Sequence, residues 1–283
     1  MTPRERIESV VVHALLVLAV LFALYPLLWV LSVALSDGGI GSASGALPLP
    51  KSVSLESFRV VVGAHTEGGT GLFLCQLANS LLVALATSLV AVAIATPTAY
   101  ALARFRFLGA ETSMGVLLAT QMFPAVASAV PLYLVLDALH LLDTRSGLVL
   151  VYASTAVPFA IFQLRGAFQS IPVDLEEAAM VDGATRFVAF VRVVLPAARP
   201  AIAVTALFAF MSAWNEFILA ATFLSRESAF TLPVVLQRYV GEHDAAWGPF
   251  CAGSILVSVP VMVLFYIAQG QLVSGLTSGG VKG

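Results

Sequence analysis

Groups able to do chemistry are scarce in this chain, and their spacing rules out most reaction types. A nucleotide-hydrolysing phosphate loop needs a lysine behind a glycine run, GxxxxGK[ST]. The two lysines, Lys51 and Lys282, follow no such run, so the chain is not its own ATPase. His13, His65, His140 and His243 have no partners at metal-ligand spacing, and no metal site is read from them. Cys75 and Cys251 are too few and too far apart for a disulfide framework or metal cluster and read as small buried hydrophobes. No serine–histidine or aspartate pair lies in the apolar stretches to activate a nucleophile or water. What remains is Glu216 beside Asn215, Gln121 ahead of Met122-Phe123-Pro124, and the weaker candidates Tyr133 and Gln163. A carboxylate deep in an apolar stretch is costly unless it faces protein or water. Glu216 therefore either bonds a neighbouring helix or lines a translocation path. Gln121-Met122-Phe123-Pro124 and Pro131 interrupt another apolar stretch, which marks either a simple kink or the border of a transport route.

The elements that position these groups are set by composition. Of 283 residues, 59% are hydrophobic and 11% charged, where soluble domains carry about 25% charge. Mean hydropathy is +0.97. So few charges cannot cover a soluble surface, and the lipid bilayer is the implied surrounding. A net charge of -2 leaves no basic excess for nucleic acid. A helix of about 20 apolar residues crosses the roughly 30 Å hydrocarbon core. Six stretches qualify, at about 10–35, 72–101, 113–136, 146–167, 201–224 and 250–271. None alternates polar and apolar as a barrel strand does, which predicts an all-α membrane protein with six transmembrane helices. Arg4 and Arg6 ahead of the first stretch look like a signal-peptide start, but the apolar run is longer than an h-region of about 7 to 15 residues, so it reads as a retained anchor.

Orientation follows from positive charge, which is retained in the cytoplasm. Arg4, Arg6, Arg104, Arg106, Arg165, Arg186, Arg192, Arg199 and Lys282 fall on one side. Lys51, Arg59, Arg145, Arg226 and Arg238 fall on the other. Both termini are predicted inside, with loops near 36–71, 137–145 and 225–249 facing out. The first, with Gly38-Gly39 and Gly68-Gly69, is expected to be irregular. The third carries Tyr239 and Trp247, candidates for contact with an external protein.

The cytoplasmic loop at 168–200 differs from the rest. Pro172 suits a first helical turn, Asp174, Glu176 and Glu177 complement its dipole, and Gly183 suits its end. Thr185 suits the cap of a second helix with Phe187, Phe190, Val191 and Val194 on one side, before Pro196 and Pro200 turn the chain into the fifth span. Two such helices form a knob, and its acidic first turn favours a protein groove over anionic lipid.

Glu177-Ala178-Ala179, three residues, Gly183, nine residues and Val193-x-Leu195-Pro196 resembles the EAA loop of permease subunits of binding-protein-dependent ABC importers. Val193 stands where that family usually has isoleucine. Asp182-Gly183-Ala184, Trp214-Asn215-Glu216-Phe217 and the ending Gly275 to Gly283 are similar to the carbohydrate branch. Phe230-Thr231-Leu232-Pro233 and the same ending most resemble its maltose/maltodextrin (MalG-type) members. The resemblance implies a bacterial inner-membrane subunit that binds no cofactor. Its implied partners are a MalF-like second permease, a pair of MalK-like ATPases using ATP and magnesium, and an external sugar-binding protein. It further implies that Glu176, Glu177, Ala178, Ala179, Asp182, Gly183, Leu195 and Pro196 form an ATPase-coupling site. The tail at 272–283 reads from its own residues as a frayed polar end. The resemblance instead implies that Thr277, Ser278, Gly279, Gly280, Val281, Lys282 and Gly283 contact the ATPases. Two other classes compete: a secondary transporter, which normally shows more intramembrane charge and often an inverted repeat, and an intramembrane enzyme, for which no catalytic pair is present.

Overall fold

A computed structural model describes residues 3–37, 47–50, 52–65, 71–241 and 245–280. The described residues are helical throughout, with isolated bridges such as Ser36 to Val53 in place of a sheet. Among the described residues, four helices are long and apolar enough to cross a membrane: α1 (Pro3–Ala34), α3 (Leu72–Arg104), α6 (Arg145–Ser170) and α13 (Trp247–Gly280), the last qualifying over Trp247–Gly270. Two bent pairs raise the number of candidate spans to as many as six.

The first bent pair lies in the stretch at 113–136, and the interruption expected there falls at Met122 to Pro124. α4 (Ala110–Gln121) and α5 (Ala125–Ala138) meet at about 100°. Pro124 is the cause: it takes extended backbone at φ -60°, ψ 125°, so the last turn of α4 cannot run on and a new helix starts after it. Pro131, by contrast, lies inside α5. The second pair involves the fifth span. α8 (Arg186–Ala189), a π segment at Phe190–Val194 and α9 (Leu195–Ala197) run at 73° to α10 (Arg199–Trp214). The bend falls where Pro196 and Pro200 withhold backbone donors. The expected span at 201–224 also ends early, at Trp214, and resumes only as α11 (Ile218–Phe223).

Two further expectations change. The loop at 36–71 contains a helix, α2 (Glu56–Gly63), which buries Ser57 and Val61. The polar stretch after Gln271 continues α13 to Gly280 instead of leaving the helix. The loop at 225–249, expected to face out, contains a 3₁₀ turn (Glu227–Ala229) and α12 (Leu232–Arg238), with Phe230, Thr231, Leu232 and Val234 buried.

The chain divides into two compact units, 1–74 with 235–260, and 75–234 with 261–283. In the first, Ser36 and Val53 bridge the end of α1 to the chain ahead of α2. In the second, small residues let helices close tightly: Ala95 and Ala99 of α3 are fully buried with Leu164 and Phe168 of α6, Met114 of α4, and Val194 and Ala198. α6 has more than half of its apolar window buried and is the centre of this unit.

Candidate functional site

The residues of the 168–200 loop come together around a helix, a glycine turn and a second helical segment. α7 (Asp174–Val181) opens with Asp174, Glu176 and Glu177 in its first turn, as the dipole favours. Pro172 stands just before the helix and offers its carbonyl to the Leu175 N–H at 3.4 Å. At the other end Gly183 has φ +92°, and its N–H donates to the Met180 carbonyl while that of Ala184 donates to Ala179. This is a glycine-terminated helix end, and a left-handed φ is where glycine has no penalty. Thr185 then caps α8, its hydroxyl accepting from Val188 N–H at 3.3 Å.

The expected apolar side of that second helix does not form. Val194 is fully buried, but Phe187 is 74% exposed and Val191 41% exposed. The π segment explains it: bonding to the fifth residue inserts an extra residue into the turn and rotates the register. Phe190 instead packs on Tyr100 of α3, their rings 4.3 Å apart.

Glu176 and Glu177 are adjacent but occupy opposite environments. Glu177 is exposed with Ala178, Asp182 and Gly183. Glu176 is buried, with its carboxylate accepting from Arg104 Nε at 2.5 Å and from Tyr100 OH at 2.8 Å. Arg104 also donates from Nη2 to the Ile171 carbonyl at 2.9 Å. The sequence offered Glu176 as an acidic first-turn residue and a member of the coupling set, but no signal for its two α3 partners. Leu195 and Pro196 lie in α9, at the bend into α10. Thr277, Ser278, Gly279 and Gly280 are the last helical residues of α13, while Val281, Lys282 and Gly283 lie outside the described residues.

The four path candidates divide. Glu216 is engaged structurally: it accepts from Tyr152 OH at 2.6 Å and from the N–H groups of Leu219 and Ala220 at 2.8 and 3.0 Å. It thus ties α6 to the start of α11 and supplies the acceptors that a new helix needs at its N-terminus. Asn215 donates to the Met211 carbonyl at 2.9 Å, closing the end of α10. Gln121 donates to the Thr155 carbonyl at 3.0 Å and lines a cavity of about 240 Å³ with Thr155, Phe159, Thr205, Phe208 and Ser212. Tyr133 lies away from it, its ring 6.5 Å from that of Phe223.

At the far end of the same unit a polar network fixes the 225–232 strand of chain. Asn79 donates to the carbonyls of Ser228 and Phe230 at 2.8 and 3.1 Å and accepts from Arg145 at 2.7 Å. Gln76 donates to Glu227 O, and Ser80 accepts from Leu232 N–H. Asp143, at φ 56°, accepts from Ser225 N–H and Oγ and from Arg226 N–H. Burial pushes its carboxyl up, but the hydrogen bonds from Ser225 and Arg226, with the Arg226 charge, outweigh that and hold it below the usual carboxylate range.

Comparison with known proteins gives this arrangement a family. Residues 91–277, which include the whole 168–200 loop, match the model of the binding-protein-dependent transport system inner membrane component. The trehalose transport system permease protein SugB of Mycobacterium tuberculosis is 35% identical over 94% of this chain and 95% of its own length. The maltose/maltodextrin transport system permease protein MalG of Salmonella typhimurium is 35% identical over 99% and 97%. Among solved structures, a bacterial ABC transporter involved in the import of the acidic polysaccharide alginate superposes with a TM-score of 0.75 at 26% identity, covering 95% of this chain and 98% of that one. The chain therefore belongs to the inner-membrane components of binding-protein-dependent transport systems, as a multi-pass permease subunit of a bacterial ABC importer, in a family whose subunits have no catalytic site and leave ATP to a partner.

Proposed function

We propose that this chain forms half of the translocation path of a sugar importer, with six spans, both termini in the cytoplasm, and α7 as the helix that docks in a partner ATPase. The observation that carries this is the left-handed turn at Gly183 behind an acidic first turn, placed between α6 and the bent entry to α10. A docked helix held by a sharp turn passes partner motion to the helices on either side. Glu177, Ala178, Ala179, Asp182 and Gly183 meet the ATPase in this reading, and Glu176, Leu195 and Pro196 position them. Thr277 to Gly283 form the second contact. The remaining partners are a MalF-like second permease, completing the path, and an external sugar-binding protein that meets the loop carrying Tyr239 and Trp247. Of the path candidates, Gln121 lines a cavity, and it is assigned to the route. Binding and hydrolysis of ATP by the MalK-like pair shift the populations of outward- and inward-facing states.

The carried sugar is proposed to be a maltose/maltodextrin-type oligosaccharide, with support from Phe230-Thr231-Leu232-Pro233 and the chain's ending. Trehalose competes, because the relative named for it is as similar. Gentle affinity purification from native membranes tests the assembly: a second permease and a P-loop ATPase should co-purify, and a lone polypeptide that still transports would overturn it. On the purified complex, binding protein loaded with maltodextrin should stimulate ATP hydrolysis more than the same protein loaded with trehalose. The reverse order would replace the substrate.

A further inference from the structure

A buried polar cluster at the Arg104 end of α3 joins that helix to α7 and to the segment before it. We infer that Arg104 and Glu176 are positioning residues that make this end of α3 move as one body with α7, so that ATPase motion reaches α3 directly as well as through α6 and α10. This rests on α7 being the ATPase-docking helix.

The geometry is that of a clamp. Both side chains are 7% exposed. Glu176 has each oxygen filled, one by Arg104 and one by Tyr100, both from α3. Arg104 reaches Ile171 O as well, so it grips both ends of the short segment joining α6 to α7. On the other side of Gly183 the same α3 turn is held again: Tyr100 lies on Phe190, Phe168 meets both rings edge-on, and the Arg186 guanidinium sits 5.2 Å over Phe105. Separating a buried, fully satisfied ion pair leaves an uncompensated charge in a low dielectric. α7 therefore carries α3 with it, and relative motion is taken up elsewhere. Glu177, one position on and exposed, is left for the partner.

The test uses the assembled transporter with its binding protein in proteoliposomes. Glu176→Gln keeps the size and the Tyr100 bond but removes the charge. The ATPases should co-purify at the wild-type ratio and basal hydrolysis should persist, while sugar uptake per ATP falls about tenfold, the scale of a typical coupling energy. Arg104→Glu with Glu176→Arg should recover part of the loss. Uptake per ATP unchanged in Glu176→Gln would overturn the clamp while leaving the docking role of α7 standing. A wild-type chain that retains no ATPase would overturn both. A second measurement leaves the pair intact. Spin labels at the exposed Leu108 and Asp174, with Cys75 and Cys251 replaced by alanine, report the distance from the end of α3 to α7. It should be the same with and without ATP, and a distance that changes with nucleotide overturns the clamp.

Discussion

Glu216 shows how a single buried group is read one way from sequence and resolved by its partners. Its cost in an apolar stretch is legible from its type and position, but three donors decide its role: Tyr152 OH and the N–H groups of Leu219 and Ala220. Replacing it with alanine strands those donors, at a cost of about 1–3 kcal/mol. Glu216→Ala should therefore lower the thermal unfolding midpoint in detergent, Glu216→Gln should recover most of it through its remaining carbonyl, and neither should change the affinity for sugar; a weaker sugar affinity with unchanged stability would make it a path residue. Asp143 adds a pH dependence. Its pKa is depressed in the folded chain by Ser225 and Arg226, so its contribution to stability is present above the ordinary value of about 4 and is lost as pH falls through the depressed one. Asp143→Asn should be less stable than wild type near neutrality, and the difference should shrink below about pH 4; a constant difference across that range would remove the carboxylate from the account. Neither pairing was legible beforehand. Glu216 and Tyr152 are 64 residues apart and Asp143 and Ser225 are 82 apart, so no local spacing signals them.

At the scale of elements, the glycine turn and the caps were readable because their causes are local. Gly183 ends α7 and Thr185 caps α8 through residues within a few positions of each. The break at Pro124 was readable for the same reason, whereas the π segment and the break at Asn215 were not, because apolar composition continues straight through them and only packing and specific acceptors decide where the helix gives way. Gly183 and a second glycine, Gly147, separate two kinds of constraint. Nothing lies within 4 Å of a Cβ at Gly183, so a side chain meets only the penalty of φ +92°, about 1–2 kcal/mol. Gly183→Asn should retain most ATP-coupled uptake, and Gly183→Leu should abolish it while the protein still inserts; equal uptake in the two would free the turn of a coupling role. At Gly147 a Cβ would stand 2.3 Å from the Leu141 carbonyl oxygen, in the first turn of α6, where Thr144 accepts from the Gly147 N–H. The clash is with backbone, so Gly147→Ala should cost about 1–3 kcal/mol and lower the unfolding midpoint even though alanine favours helices. An unchanged midpoint would mean that the 141–144 turn yields freely.

For the molecule as a whole, composition sets the environment, the charges predict a direction, and the number of crossings follows from how each bent pair lies in the bilayer. Within the unit built on α3 and α6 the polar groups gather at two ends. Arg145 and Arg165 are 20 residues apart on one helix, which places them about 30 Å apart, the thickness of the hydrocarbon core. Arg104, Arg106, Arg165, Arg186, Arg192 and Arg199 belong to the end that holds α7, whereas Arg145 and Arg226 belong to the end held by Asn79 and Asp143. Positive charge is retained on the cytoplasmic side, so the richer end is predicted to face in, which is also the end that carries the proposed ATPase contact. The two ends are distinguishable by labelling. On a background lacking Cys75 and Cys251, a cysteine at Leu108 should react with a membrane-impermeant maleimide only in inside-out vesicles. One at His140, in the turn at the other end, should react only in right-side-out vesicles. Reaction of both from the same side would mean that α4 and α5, despite their 100° bend, return the chain to the side it came from. They would then form a re-entrant hairpin, and the bent pair would count as no span at all.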